Sequence, residues 1–225
     1  MKRLLLLLLC LSALILSGCS EASLTGLVET LNKAGISLPE PDTAAPEIRP
    51  ALLTGEALEI IELLDGSFDQ DIRLIDFTAP ADARRLVITQ WALEDGQWVA
   101  REDDAIGLNG GDSGRIVLGY ETLLEGANVA VSMDGVIYSC SHDELAVANV
   151  DTPERLTAYL TMPTAITLET DIPLLYQLQS KGTGVSAIPL ELWQDTGRFA
   201  QYANVALVTV RFSAEPLGPS DPPPP

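Results

Sequence analysis

Basic residues, and side chains that usually carry chemistry, are what this sequence has least of. Among 225 residues there are 13 Lys and Arg against 32 Asp and Glu, one His, three Cys and an aromatic share of 5%. A formal charge of −19 excludes an ordinary nucleic-acid partner, because phosphate contacts need a basic footprint. Three cysteines are too few for a disulfide scaffold. A single histidine leaves no His-based metal set, and no metal or cofactor is expected. There is no phosphate-binding loop and no alternation of strand and helix patterns, which argues against a two-lobed α/β transport protein. What the chain does have is apolar surface to bury. Its hydrophobic fraction is 47%, too high for a disordered chain and enough at this length for one domain with a substantial core.

Residues 1–19 read MKRLLLLLLCLSALILSGC. Lys2 and Arg3 form a positive start, and Leu4 to Leu16 a nearly unbroken apolar run. That run has the length of a secretory signal and falls short of the roughly 20 residues of a membrane span. Leu16-Ser17-Gly18-Cys19 resembles the lipobox of bacterial lipoproteins. The resemblance covers only this segment. It implies that residues 1–18 are a signal peptide, that the Cys19 thiol receives a diacylglyceryl group, and that cleavage leaves Cys19 as the first mature residue. It also implies a lipid-anchored, extracytoplasmic location at the cell membrane or the outer membrane. Two or more acyl chains hold a protein stably where one does so only marginally. Ser20 follows, rather than the Asp associated with inner-membrane retention in Gram-negative lipoproteins. Removing 18 of the 225 residues also removes two basic groups, leaving 11 basic against 32 acidic and a formal charge of −21. Attachment would then rest on the lipid and not on a basic patch. Cys10 leaves with the signal and Cys19 is lipidated, so Cys140 stands alone and no intramolecular disulfide is expected.

Residues 19–50 read as a tether. Leu24, Leu27, Val28 and Leu31 share one face of a short helix that either lies on the membrane or docks on the domain. Pro39, Pro41, Pro46 and Pro50 mark an extended linker. A β-rich domain is expected over residues 51–214, beginning with a second short helix from Leu53 to Leu64. From Asp71 the apolar period changes to two, and strands are predicted at Ile72–Thr78, Arg85–Leu93, Trp98–Glu102, Arg115–Tyr120, Val129–Met133 and Val136–Cys140. Asp95-Gly96 and Asp134-Gly135 sit between apolar runs and fit type I′ hairpin turns. Thr152-Pro153 suggests a helix start running to Tyr159. Ile166–Thr170, Leu174–Leu178 and Val205–Ser213 read as further strands, Pro189–Gly197 as a helical turn or two, and residues 215–225 as a proline-rich tail without fold. Antiparallel strands at hairpin spacing favour a β-sandwich with a few peripheral helices.

Candidate chemistry is sparse. The Asp134-Gly135 turn pairs Met133 with Val136, Val131 with Tyr138 and Val129 with Cys140, which places the Cys140 thiol in the core and away from the electropositive setting a nucleophile needs. His142 beside Cys140 is too small a set for a metal. Gly111-Asp112-Ser113-Gly114 is similar to the nucleophile motif of chymotrypsin-type serine proteases. Arg115 stands where that family has a further glycine, however, and the one histidine lies downstream of the serine. The segment reads better as a loop feeding a strand. Asp103, Asp104, Asn109 and Asp112 offer oxygens on one expected loop, either simply solvated or able to hold calcium. Trp91 and Trp98 fall on one strand face, as core or as a ligand platform. Trp193, with Tyr202 nearby in sequence, is the candidate pocket rim. Carboxylate pairs cannot be singled out from 32 acidic residues. These features favour a membrane-anchored lipoprotein whose domain is a non-catalytic module binding an envelope protein or glycan, or serving assembly. The alternative is an envelope hydrolase using Asp or Glu residues that the sequence does not identify.

Overall fold

The computed structural model describes residues 45–53, 71–120, 122–134, 136–142, 154–180, 182 and 184–218. The expected signal peptide, lipidation site and both N-terminal helices lie outside these residues, apart from Leu53.

The described residues form eleven strands: β1 (Glu47–Pro50), β2 (Asp71–Thr78), β3 (Arg85–Glu94), β4 (Gln97–Gly107), β5 (Ser113–Tyr120), β6 (Ala127–Met133), β7 (Val136–His142), β8 (Arg155–Tyr159), β9 (Thr164–Ala165), β10 (Asp171–Ser180) and β11 (Tyr202–Ser213). They form two sheets, one in the order β7-β6-β5-β2-β1-β9 and one in the order β4-β3-β11-β10-β8. All pairings are antiparallel. The protein is a β-sandwich, as strand alternation and hairpin spacing predict.

The hairpins follow their turn chemistry. Asp95 and Gly96 both have positive φ, 49° and 76°, which a type I′ turn requires. Leu93 therefore faces Trp98 across the β3–β4 pair. Met133, Val131 and Val129 face Val136, Tyr138 and Cys140 across the β6–β7 pair. Because β7 is an edge strand, its face is only partly covered, and Cys140 is half-buried instead of sealed in the core.

Between the sheets lies an aliphatic core. Ile75 and Phe77 of β2, Ile116 and Leu118 of β5, and Val129 and Val131 of β6 meet Leu86, Ile88, Val208, Val210 and Phe212 of the other sheet. Each such side chain contributes about 1.5–3 kcal/mol on burial. The Phe77 and Phe212 rings meet across the sandwich with centroids 5.4 Å apart. Gly114 lies against this contact. A Cβ there would come within 2.6 Å of both Phe77 and Met133, so packing demands glycine. The β5–β6 connection closes one end: Gln90 Nε2 donates to the Leu123 carbonyl (3.0 Å), while Gln177 Oε1 accepts from Thr122 Oγ1 (2.7 Å) and Leu123 N–H (3.1 Å). On the other face of the six-stranded sheet, Arg115 Nε and Nη2 grip the two Asp76 oxygens at 2.6 and 3.1 Å. Both side chains are almost fully buried, so losing either would leave an uncompensated charge.

Four expectations are corrected. Glu47–Pro50 is a strand between β2 and β9, where prolines suggested linker; Pro46 precedes the strand, Pro50 ends it, and the β1 main chain between them still pairs. Arg155–Tyr159 is strand β8 and not a helix, because pairing with β10 overrides the local Thr-Pro start signal. Ile166–Thr170 is the connection between the two sheets, turning at Glu169, whose φ is +60°. That turn is held by Glu169 N–H to the Phe212 carbonyl and by Ala214 N–H to the Glu169 carboxylate, both at 2.9 Å. The bond from Ala214, followed by one from the Ser213 side chain, holds the Glu169 carboxyl below its ordinary pKa. Finally, β4 runs on to Gly107, so Asp103 and Asp104 are strand residues and share no loop with Asn109 and Asp112.

Candidate functional site

The five-stranded sheet is buried on both faces. Its inner face meets the aliphatic core; its outer face carries Tyr176, Leu178, Val205 and Leu207 under a cap built from residues 184–201. Two 3₁₀ turns, Leu190–Leu192 and Thr196–Phe199, give the cap its shape, near the helical turns expected at Pro189–Gly197. The cap is fastened by aromatic side chains with polar tips. The Trp98 indole N–H donates to the Trp193 carbonyl (2.9 Å), and the Trp98 ring packs on Trp193 and on Phe199 at 6.1 and 5.7 Å. Tyr176 meets Phe199 edge-on at 5.8 Å. Its hydroxyl accepts from Ile188 N–H (2.9 Å) and donates to the Ile188 carbonyl. Burial pushes the Tyr176 phenol above its ordinary value, opposed by the hydrogen bond to Ile188. The Trp91 indole N–H donates to Thr209 Oγ1 at 2.9 Å. Trp91 and Trp98 therefore belong to a core.

Where the cap ends, a cleft of about 530 Å³ opens. Four stretches line it: Ala158–Met162 at the end of β8, Thr164, Ala165 and Thr167 around β9, Thr170–Pro173 at the start of β10, and Ala187–Glu191 with Trp193 from the cap. The wall is apolar with threonine hydroxyls among it. Among the described residues its ionisable groups are the carboxylates Asp171 and Glu191 and the Tyr159 phenol, and no Lys, Arg or His is on its wall, though the Arg73 guanidinium lies over the Tyr159 ring, 4.7 Å from its centroid. Burial raises the Asp171 carboxyl above its ordinary value, opposed by Arg211, whose Nη1 lies 3.8 Å from Oδ1. Tyr159 and Met162 are large apolar side chains left 44% and 70% exposed.

The two sequence candidates part company here. Trp193 lines the cleft, though it is only 9% exposed. Tyr202 is buried under the cap, where its hydroxyl donates to the Ser186 carbonyl (2.7 Å) and accepts from Ser186 N–H (3.3 Å). It is not among the cleft-lining residues. Ser113, of the protease-like motif, bonds Thr78 Oγ1 at 2.8 Å. Asp112 accepts from Asn109 N–H at 2.7 Å, closing its own loop. Among the described residues, no three His, Cys, Asp or Glu side chains are placed to hold a metal ion. Likewise, no helix among them is long and apolar enough to cross a membrane.

Asp171, Glu191 and the Tyr159–Met162 edge were not singled out by sequence reasoning. They come from separate stretches of the chain, brought together by the pairing of β8 with β10 and by the cap turn that carries Glu191. No family model, characterised protein or solved structure matches the chain.

Proposed function

We propose that the chain is a bacterial lipoprotein, anchored through Cys19, whose β-sandwich is a non-catalytic module that captures a protein partner at the envelope. The observation that carries the partner-binding part is the cleft beside β8: an apolar, hydroxyl-bearing wall next to a sheet edge, with Tyr159 and Met162 exposed at its mouth. A protein segment suits this wall better than a glycan. Sugars stack on open aromatic faces, whereas the cleft's tryptophan is nearly buried and its exposed tyrosine, Tyr159, has the Arg73 guanidinium over its ring, 4.7 Å from the centroid. The anchor rests on the resemblance of Leu16-Ser17-Gly18-Cys19 to a lipobox.

A hydrolase is the second reading. It is favoured by one observation, the raised carboxyl of Asp171 in the same cleft as Glu191. The Arg211 guanidinium beside Asp171 works against it, because it favours the ionised form over the proton-donating one.

Intact mass of the protein taken from membranes, beside a Cys19→Ala variant, tests the anchor. Loss of residues 1–18 with a gain of acyl mass, and release or failed maturation of the variant, is the expected result. An unlipidated, freely secreted protein would contradict it.

A further inference from the structure

Two main-chain hydrogen bonds fix which way β8 faces. Leu160 N–H donates to the Leu174 carbonyl (2.7 Å) and Ser180 N–H to the Glu154 carbonyl (3.0 Å). Even-numbered positions therefore turn their polar groups toward β10, and strand alternation turns those of Arg155, Thr157 and Tyr159 the opposite way. β8 is the last strand of its sheet, and among the described residues no main-chain hydrogen bond ends on that outward row. Such a row is a template for one more strand. The opposite edge of the same sheet is built differently. β4 carries Arg101, Asp103 and Asp104, and its pairing is broken by an irregularity opposite Gln90 and Trp91, features that discourage strand addition.

We propose that the outward edge of β8, with the cleft beside it, takes up an extended segment of a partner protein that carries apolar side chains and a Lys or Arg, as an added strand. The proposal rests on the binding-module reading above and supplies its mode. Charge selects the occupant: Glu191 and the Arg211-paired Asp171 are the carboxylates on the described cleft wall, which has no basic side chain of its own. On a chain of formal charge −19 a cationic segment is favoured over an acidic one, even with Arg73 lying over the Tyr159 ring. A second copy of this chain, also at −19, is disfavoured on the same ground. The chain's own C-terminal tail is proline-rich and poor in N–H donors. It leaves toward the other edge, where Leu217 packs on Gly107 at the end of β4.

The test uses the full-length protein in detergent micelles and a fluorescent, end-blocked peptide alternating valine and threonine around one lysine. Its counterparts carry glutamate in place of lysine, or N-methyl groups on alternate residues. The lysine peptide is expected to bind about tenfold more tightly than the glutamate one, a preference that D171N/E191Q erases. N-methylation of one alternate set is expected to weaken binding about tenfold, as loss of strand hydrogen bonds requires. Hydrogen exchange at Thr157 and Tyr159 should slow only when the peptide is bound. No binding of the lysine peptide, or binding indifferent to N-methylation, overturns strand addition. Preference for a neutral oligosaccharide over the peptide also overturns it and turns the module toward glycans. Membrane retention that survives Cys19→Ala would overturn the anchor reading and leave the strand geometry standing.

Discussion

The two faces of the five-stranded sheet solve burial in different ways. The inner face meets a second sheet through interdigitated aliphatic side chains, with Phe77 on Phe212 at its centre. The outer face is covered by irregular chain, and its rings carry polar tips tied to that chain's main-chain groups: Trp98 to Trp193, Tyr176 to Ile188, Tyr202 to Ser186. A sheet-on-sheet core is cooperative, because every strand is laddered to its neighbours. A capped face is held by a few anchors and can open by itself. The cleft lies at the border of the capped face, where Trp193 and Ile188 join its wall. Stability is thus concentrated on one side of the sheet and adaptability on the other.

Phenylalanine truncation separates the two faces most strongly. Phe212→Ala should cost about 3–5 kcal/mol of global stability, read as a lower urea midpoint with unchanged slope. Phe199→Ala removes a ring just as buried. It should unfasten the cap first, speeding hydrogen exchange over residues 184–201 well before the urea midpoint moves by a comparable amount. Asp76→Asn lies on neither core. It should cost about 3 kcal/mol by stranding Arg115, and should lower both faces together in chemical denaturation. Tyr176→Phe should cost about 1–2 kcal/mol by leaving the Ile188 groups without their partner.

Tyr176→Phe also changes the alkaline limb. With the folded phenol raised above its ordinary value of 10.0, the unfolded chain loses that proton first, so stability falls as pH rises past 10.0 toward the raised value. The phenylalanine variant should show a shallower fall. The smallest effect is expected for Asp171→Asn. The folded carboxyl is raised from 3.8, so its contribution is present below 3.8 and is lost as pH rises through the raised value. Glu169, lowered in the folded state, contributes with the opposite sign, present above its ordinary value and lost as pH falls. Removing Asp171 should take its own limb out of an acid titration of stability and leave the Glu169 limb in place.

Part of this arrangement is legible in the sequence because local rules act alone there. Asp95-Gly96 sets the register of Leu93 on Trp98, and the run Arg85–Glu94 is apolar on both faces, which suits a strand buried on both sides. Elsewhere a local signal loses to a distant partner. Thr152-Pro153 suggests a helix start, yet Arg155–Tyr159 pairs with β10 across the sheet. Ile166–Thr170 alternates like a strand but must turn at Glu169 to pass between sheets. Trp193 is placed on the cleft wall by the 3₁₀ turn before it, whereas Tyr202 begins β11 and is tied inward to Ser186. Asp171 and Glu191 carry no motif spacing, so only the topology identifies them.

Native-state hydrogen exchange at increasing urea measures the difference between the faces most directly. The amides of Ile188, Trp193 and Arg198, bonded within the cap or to Tyr176, should exchange through an opening smaller in free energy and in exposed surface than that governing β5 and β6. A single opening energy shared by the cap and both sheets would contradict a face built to move on a face built to hold.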